Sequence, residues 1–162
     1  MPISEWSTLL SVQAGAAATL TGLVFVAVSI NLSKILEFPG LSGRAAESLL
    51  QFLEVFFIAT LALIPRQSDK VLGIELLVTG LVFWAAQVAG QIRYLKVRSG
   101  HPWSWFVDRA ILGQCATLPF CVVGFAVLFD FRGAFYWLAP GFIFSFAAGV
   151  SNAWVLLVEI NR

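Results

Sequence analysis

The sequence predicts an all-α protein: a polytopic transmembrane helix bundle of about five spans, forming a single domain over residues 1–162. Three observations predict it. The chain is 59% hydrophobic and 12% charged, whereas soluble domains hold about 45–50% apolar and about 25% charged residues. Its apolar residues gather into stretches long enough to cross a bilayer, which takes ~20 residues at ~1.5 Å each for a ~30 Å hydrocarbon core. The breaks between stretches hold the punctuation, such as Pro39, Gly40 and Gly43, then Pro65 to Lys70, then Asp130 to Gly133. Fifteen Phe and six Trp suit lipid-facing and interfacial positions. A net charge of +1 gives no basis for a nucleic-acid partner.

The elements follow in order. Residues 1–10 read as an interfacial lead-in with Trp6 at headgroup level. The first charge is Glu5, no basic cluster precedes it, and no small-residue cleavage site closes the apolar run, so the first hydrophobic segment is expected to stay in the mature protein. The first span covers residues 11–32. Ala14, Ala18 and Gly22 recur every four residues there, a small-xxx-small face that lets another helix approach closely, within the subunit or from a second one. A loop over 33–44 leads to the second span, 45–64, which Pro65 stops. The connection from Arg66 to Lys70 is short, so its flanking helices are expected to be antiparallel neighbours.

The third span covers 71–94, with Gly80, Trp84, Gln87 and Gln91 on one face. Residues 93–109 form the most basic loop, with Arg93, Lys96, Arg98, His101 and Arg109 interleaved with Trp103, Trp105 and Phe106. Beside a membrane this reads as a positively charged cytoplasmic loop with an aromatic anchor. The fourth span, 107–129, contains Pro119 and an expected kink. The fifth covers 134–160, either as one helix or as an interfacial piece followed by a helix from Phe142.

Five spans place the termini on opposite sides. One side carries Lys34, Arg44, Arg93, Lys96, Arg98, Arg109 and Arg162, and the other only Arg66, Lys70 and Arg132. The positive-inside bias therefore predicts the N-terminus outside and the C-terminus in the cytoplasm.

The second span carries the most informative pattern. Glu47, Gln51 and Glu54 are spaced by four and three and so share one helix face. Glu54 falls near the middle of the span, where an isolated charge is costly and snorkelling to water is out of reach. Proton sharing with an amide such as Gln87 or Gln114, a cationic partner, or water in a cavity would each satisfy it. No Lys or Arg is expected at its depth. Gln51, Gln87, Gln114 and Asn152 lie about seven residues in from the cytoplasmic end of their spans, a common depth of ~10 Å. Gln91 and Glu47 lie shallower. Three readings stay open: amides acting as interhelical glue, a water-filled vestibule or a pore at an oligomer axis, and a proton or ligand switch at Glu54.

No catalytic residue, metal set or cofactor motif is evident. The single histidine, His101, has no carboxylate or cysteine cluster beside it in sequence, and no phosphate loop or paired intramembrane aspartates occur. Cys115 and Cys121 lie six apart in one apolar segment and read as small apolar fillers.

Several runs carry a resemblance. GLVFVAVSINL, PGLSGRAAE, GQCATLP and YWLAPG with the tail NAWVLLVEI resemble a group of small bacterial multi-pass membrane proteins, some of them labelled "modulator of FtsH protease". The resemblance covers most of the chain. It implies a bacterial inner (cytoplasmic) membrane location and brings no catalytic residues. The function expected is that of a homo-oligomer in the lipid bilayer, conducting or transporting a small ion or solute through a polar path on the cytoplasmic half. The alternative is a non-conducting accessory or regulatory subunit with a structural polar layer.

Overall fold

The computed structural model describes residues 3–37, 40–97 and 103–160. Pro39, Arg98, His101 and Arg162 lie outside the described residues, as do the side chains of Trp103, Trp105 and Glu159. Six α-helices follow in order: α1 Ser7–Ile30, α2 Leu32–Glu37, α3 Leu41–Ala62, α4 Asp69–Val97, α5 Trp103–Leu128 and α6 Leu138–Ile160. No strand occurs among the described residues. Among the described residues, five helical segments are long and apolar enough to cross a membrane: Ser7–Ile30, Leu41–Ala62, Asp69–Lys96, Phe106–Leu128 and Ala134–Val158.

The boundaries differ from expectation where polar residues cost a helix little. α1 begins at Ser7, four residues before the expected start at Ser11, because a 3-10 turn over Ile3–Trp6 runs straight into it. The loop after α1 contains the short α2, whose Ile35 is buried beside Leu41, Ala45 and Leu156. The last span combines the two expected forms: a 3-10 turn, Ala134–Trp137, leads into α6 from Leu138 rather than from Phe142. Pro140 falls in the first turn of α6, where its missing N–H has no partner to lose. α5 continues as helix past Pro119.

The tight turns have identifiable chemistry. Gly40 precedes α3 at φ 97°, a left-handed conformation suited to glycine. At the end of α5, Asp130 takes φ 57°. There Phe131 N–H donates to the Ala126 carbonyl at 2.8 Å and Asp130 N–H to that of Val127 at 3.2 Å. This paired arrangement satisfies the last carbonyls of the helix.

α3, α4, α5 and α6 pack in a closed ring, each against the next, and α1 docks on the outer side of α3. The closest pair is α4 with α5. A Cβ added at Gly73 would lie 2.7 Å from the Leu128 backbone nitrogen, and one at Gly80 would lie 3.0 Å from that of Cys121. Gly124 likewise lies against the Leu77 backbone. Gly141 and Gly149 of α6 receive the rings of Phe120 and Phe52.

These glycines, rather than the Ala14, Ala18 and Gly22 stripe, make the close approaches within the chain. Ala14 packs against the core, but Ala18 and Gly22 are exposed, and a Cβ on Gly22 would meet nothing within 4 Å. The reason is rotational. α1 turns Leu10 and Ala17 towards the core, which points Ala18 and Gly22 away from it.

The interior divides into two halves. Towards the end holding the N-terminal turn and the 63–68 connection, it is apolar, built from Leu10, Val55, Ile58, Leu76, Phe120 and Phe142 with their neighbours. Trp6 meets Tyr136 edge-on at that end, with ring centroids 5.3 Å apart. Towards the other end, which holds Arg44 and Arg109, the buried residues include Glu47, Ser48, Gln51, Gln87, Gln91 and Asn152.

Candidate functional site

The polar half is built mainly by α3, whose 3.6-residue period sets Glu47, Ser48, Gln51 and Glu54 on its buried side. At the arginine end, Glu47 is 3% exposed. Arg109 of α5 grips it with two parallel contacts, Nε to Oε2 at 2.7 Å and Nη2 to Oε1 at 2.6 Å. This is the fork geometry that suits guanidinium and carboxylate. The same guanidinium lies 4.6 Å from the centre of the Tyr94 ring. Asn152 of α6 joins the group. Its Oδ1 accepts from Arg44 Nη1 at 3.4 Å, and its Nδ2 donates a long bond to Glu47 Oε2 at 3.5 Å.

Beside this pair lies a cleft of about 360 Å³, lined by Arg44, Glu47, Gln87, Arg109, Ser151 and Asn152 among others. Gln87 also leads inward, since Gln51 Nε2 donates to its Oε1 at 3.3 Å. A second amide chain runs between α4 and α5, with Trp84 Nε1 donating to Gln114 Oε1 at 2.8 Å and Gln114 Nε2 to Gln91 Oε1 at 3.3 Å. Gly113 makes room for Gln87 and Gln91, because a Cβ there would overlap both amides.

Glu54 lies deepest. It is 1% exposed, and neither carboxyl oxygen has a hydrogen-bond partner. Gln51 Oε1, Gln91 Nε2 and Arg109 Nη1 are also buried without partners. Leaving such groups unpaired typically costs ~1–3 kcal/mol each; apart from Gln67 Oε1 in the 63–68 connection, those among the described residues gather in the polar half. On the far side, Val55, Ile58, Phe120 and Val123 belong to the apolar core.

Six of the seven candidate residues of the polar path are thus buried inside one chain's bundle, and Gln114 is half-buried. Gln51 and Gln87 meet directly, as the shared depth predicts. Two placements differ from it. Asn152 sits with Glu47 nearer the arginine end, and Gln114 pairs with Gln91 rather than with Gln51 or Gln87. Equal residue counts from helix ends give equal depths only for helices with aligned ends. Here α5 begins at Trp103 and α4 runs to Val97.

Sequence reasoning also missed the cationic partner of Glu47, Arg109, and the contact of Arg44 with Asn152. In the sequence both read as loop-edge residues, Arg109 at the end of 93–109 and Arg44 at the end of 33–44. The sequence offers only a partial signal: a buried carboxylate needs a cation at its level, and Arg109 lies near the matching end of its span, but the pairing itself cannot be read from either stretch alone. Cys115 and Cys121 are free and half-buried. Among the described residues, no group of three His, Cys, Asp or Glu could hold a metal ion. Comparison with protein-family models, curated proteins and solved structures finds no match.

Proposed function

We propose that this protein transports a small ion or solute, using the polar half of its bundle as a path that begins at the arginine-lined cleft and ends at Glu54. The observation that carries this reading is connectivity. Glu47 and Gln87 line the cleft, Gln87 holds Gln51, and Gln51 lies one helical turn before Glu54, whose oxygens are unpartnered. Polar groups at this depth are expensive and mark ion or proton pathways in membrane helices. The positive-inside bias orients the cleft towards the cytoplasm, and the resemblance to small bacterial multi-pass proteins supports an inner-membrane location. Self-association belongs to the same reading, because Ala18 and Gly22 leave a close-approach face free for a second copy.

Flux into liposomes reconstituted with the pure protein tests it. Wild type is expected to dissipate an imposed ion gradient, and Gln87→Leu, which removes the amide linking cleft and interior, to slow it at least tenfold. The rival is a non-conducting accessory subunit with a structural polar layer. It draws support from the amide-to-amide bonds of Gln51, Gln91 and Gln114, which are the form glue would take. Absence of flux from wild type under every gradient would favour it.

A further inference from the structure

We infer that Glu54 is a proton-binding site loaded from the arginine end, and that the species handled by the polar path is the proton. This deepens the transport reading, and only its flux arm depends on that reading. The argument begins from the balance of donors and acceptors. Both oxygens of Glu54 and Oε1 of Gln51 are buried acceptors with no donor. An ionised carboxylate is acceptor-only, whereas the acid offers one O–H. Adding one proton therefore supplies the missing donor. Gln51 Oε1 is the acceptor it meets, because residues three apart share a helix face about 5–6 Å apart at Cβ.

Other occupants fit less well. Oxygen-ligated metal cations take roughly six to eight ligands or keep several waters. Here three oxygens have no partner, and none has surface open to water. A proton needs no cavity. The buried arginine of this half, Arg109, turns Nε and Nη2 to Glu47, and its unpartnered Nη1 lies with them at the cleft.

The surroundings contain few competing groups. α1 has no titratable side chain, and the one in α6 is Glu159, near its end. α4 carries its own at its two ends: Asp69, Lys70 and Glu75, then Arg93, Tyr94 and Lys96. α5 brings Cys121 within electrostatic reach of Glu54, Cys115 further along, and Asp108 and Arg109 at the cleft. α2 holds Lys34 and Glu37 outside the bundle core. The exchange is a plain acid–base step: hydronium in the cleft gives up H⁺ and stays there as water, and the carboxylate of Glu54 takes the proton.

Infrared titration and flux, run on the same proteoliposomes, test this. The wild-type spectrum should contain a carboxylic-acid C=O band that Glu54→Gln removes, Glu54→Asp retains in shifted form, and Gln51→Leu moves to higher frequency by removing the acceptor. With a trapped pH dye and an imposed potential, proton flux should fall at least tenfold in Glu54→Gln and persist in Glu54→Asp. A band unaffected by either Glu54 variant overturns the proton site. Flux of any ion that survives Glu54→Gln at the wild-type rate also overturns it and leaves the transport reading standing. A Glu54 band without flux under any gradient upholds the proton site and overturns transport.

Discussion

Removing Arg109 should destabilise the protein more than removing the whole ion pair. The Arg109 side chain is 9% exposed and that of Glu47 4%, so solvent screens the pair little. Replacing Arg109 with Met keeps much of the stem and deletes both contacts to Glu47, which is left with one 3.5 Å bond from Asn152. Breaking a buried pair on one side typically costs ~3–5 kcal/mol, because a charge stays buried without compensation. Replacing both partners by apolar groups of similar volume is often neutral. The expected result is therefore a loss of ~3–5 kcal/mol for Arg109→Met, and a loss of less than ~1.5 kcal/mol for Arg109→Met combined with Glu47→Leu. Unfolding in mixed micelles, followed by tryptophan fluorescence, measures both. A single variant within ~0.5 kcal/mol of wild type would refute the reasoning, as would a double variant costing the sum of the two singles.

Two further outcomes follow from the packing and the charge pattern. Gly124→Leu should strongly impair folding, because any side chain there enters the Leu77 backbone. Gly22→Leu should leave monomer stability within ~0.5 kcal/mol and change only self-association, read by cross-linking in membranes. Cysteine labelling in intact cells should modify positions in the 66–68 connection and spare Lys96; the reverse pattern would place the cleft on the outer face.

The fold was legible because bilayer length and hydropathy are properties of contiguous residues. Each of the five spans can be read from its own stretch, without knowing its neighbours. The stripe of Glu47, Gln51 and Glu54 was legible for the same reason, since helical periodicity places it on one face. What the sequence hid was helix rotation and pairing. Ala14, Ala18 and Gly22 form as good a small-residue face as Gly73 and Gly80 do, yet both α4 glycines meet the α5 backbone while Ala18 and Gly22 stay exposed. Nothing within α1 decides this, because the choice rests on how Leu10 and Ala17 fit α3. The Glu47–Arg109 pair was hidden in the same way, with its partners 62 residues apart.

The division of the interior into a polar and an apolar half also shapes how the molecule would feel a membrane voltage. A full 100 mV drop is worth about 2.3 kcal/mol per elementary charge. The cleft and its amides are polarisable, whereas the layer of Val55, Ile58, Phe120 and Phe142 is not. The electric field therefore concentrates across the apolar layer. Under the transport reading proposed above, a charge moving between the arginine end and Glu54 would cross the smaller part of the potential, and one passing beyond Glu54 the larger part. In that reading the apolar layer would act as the insulator, placed to one side of the bundle's middle with Glu54 at its edge.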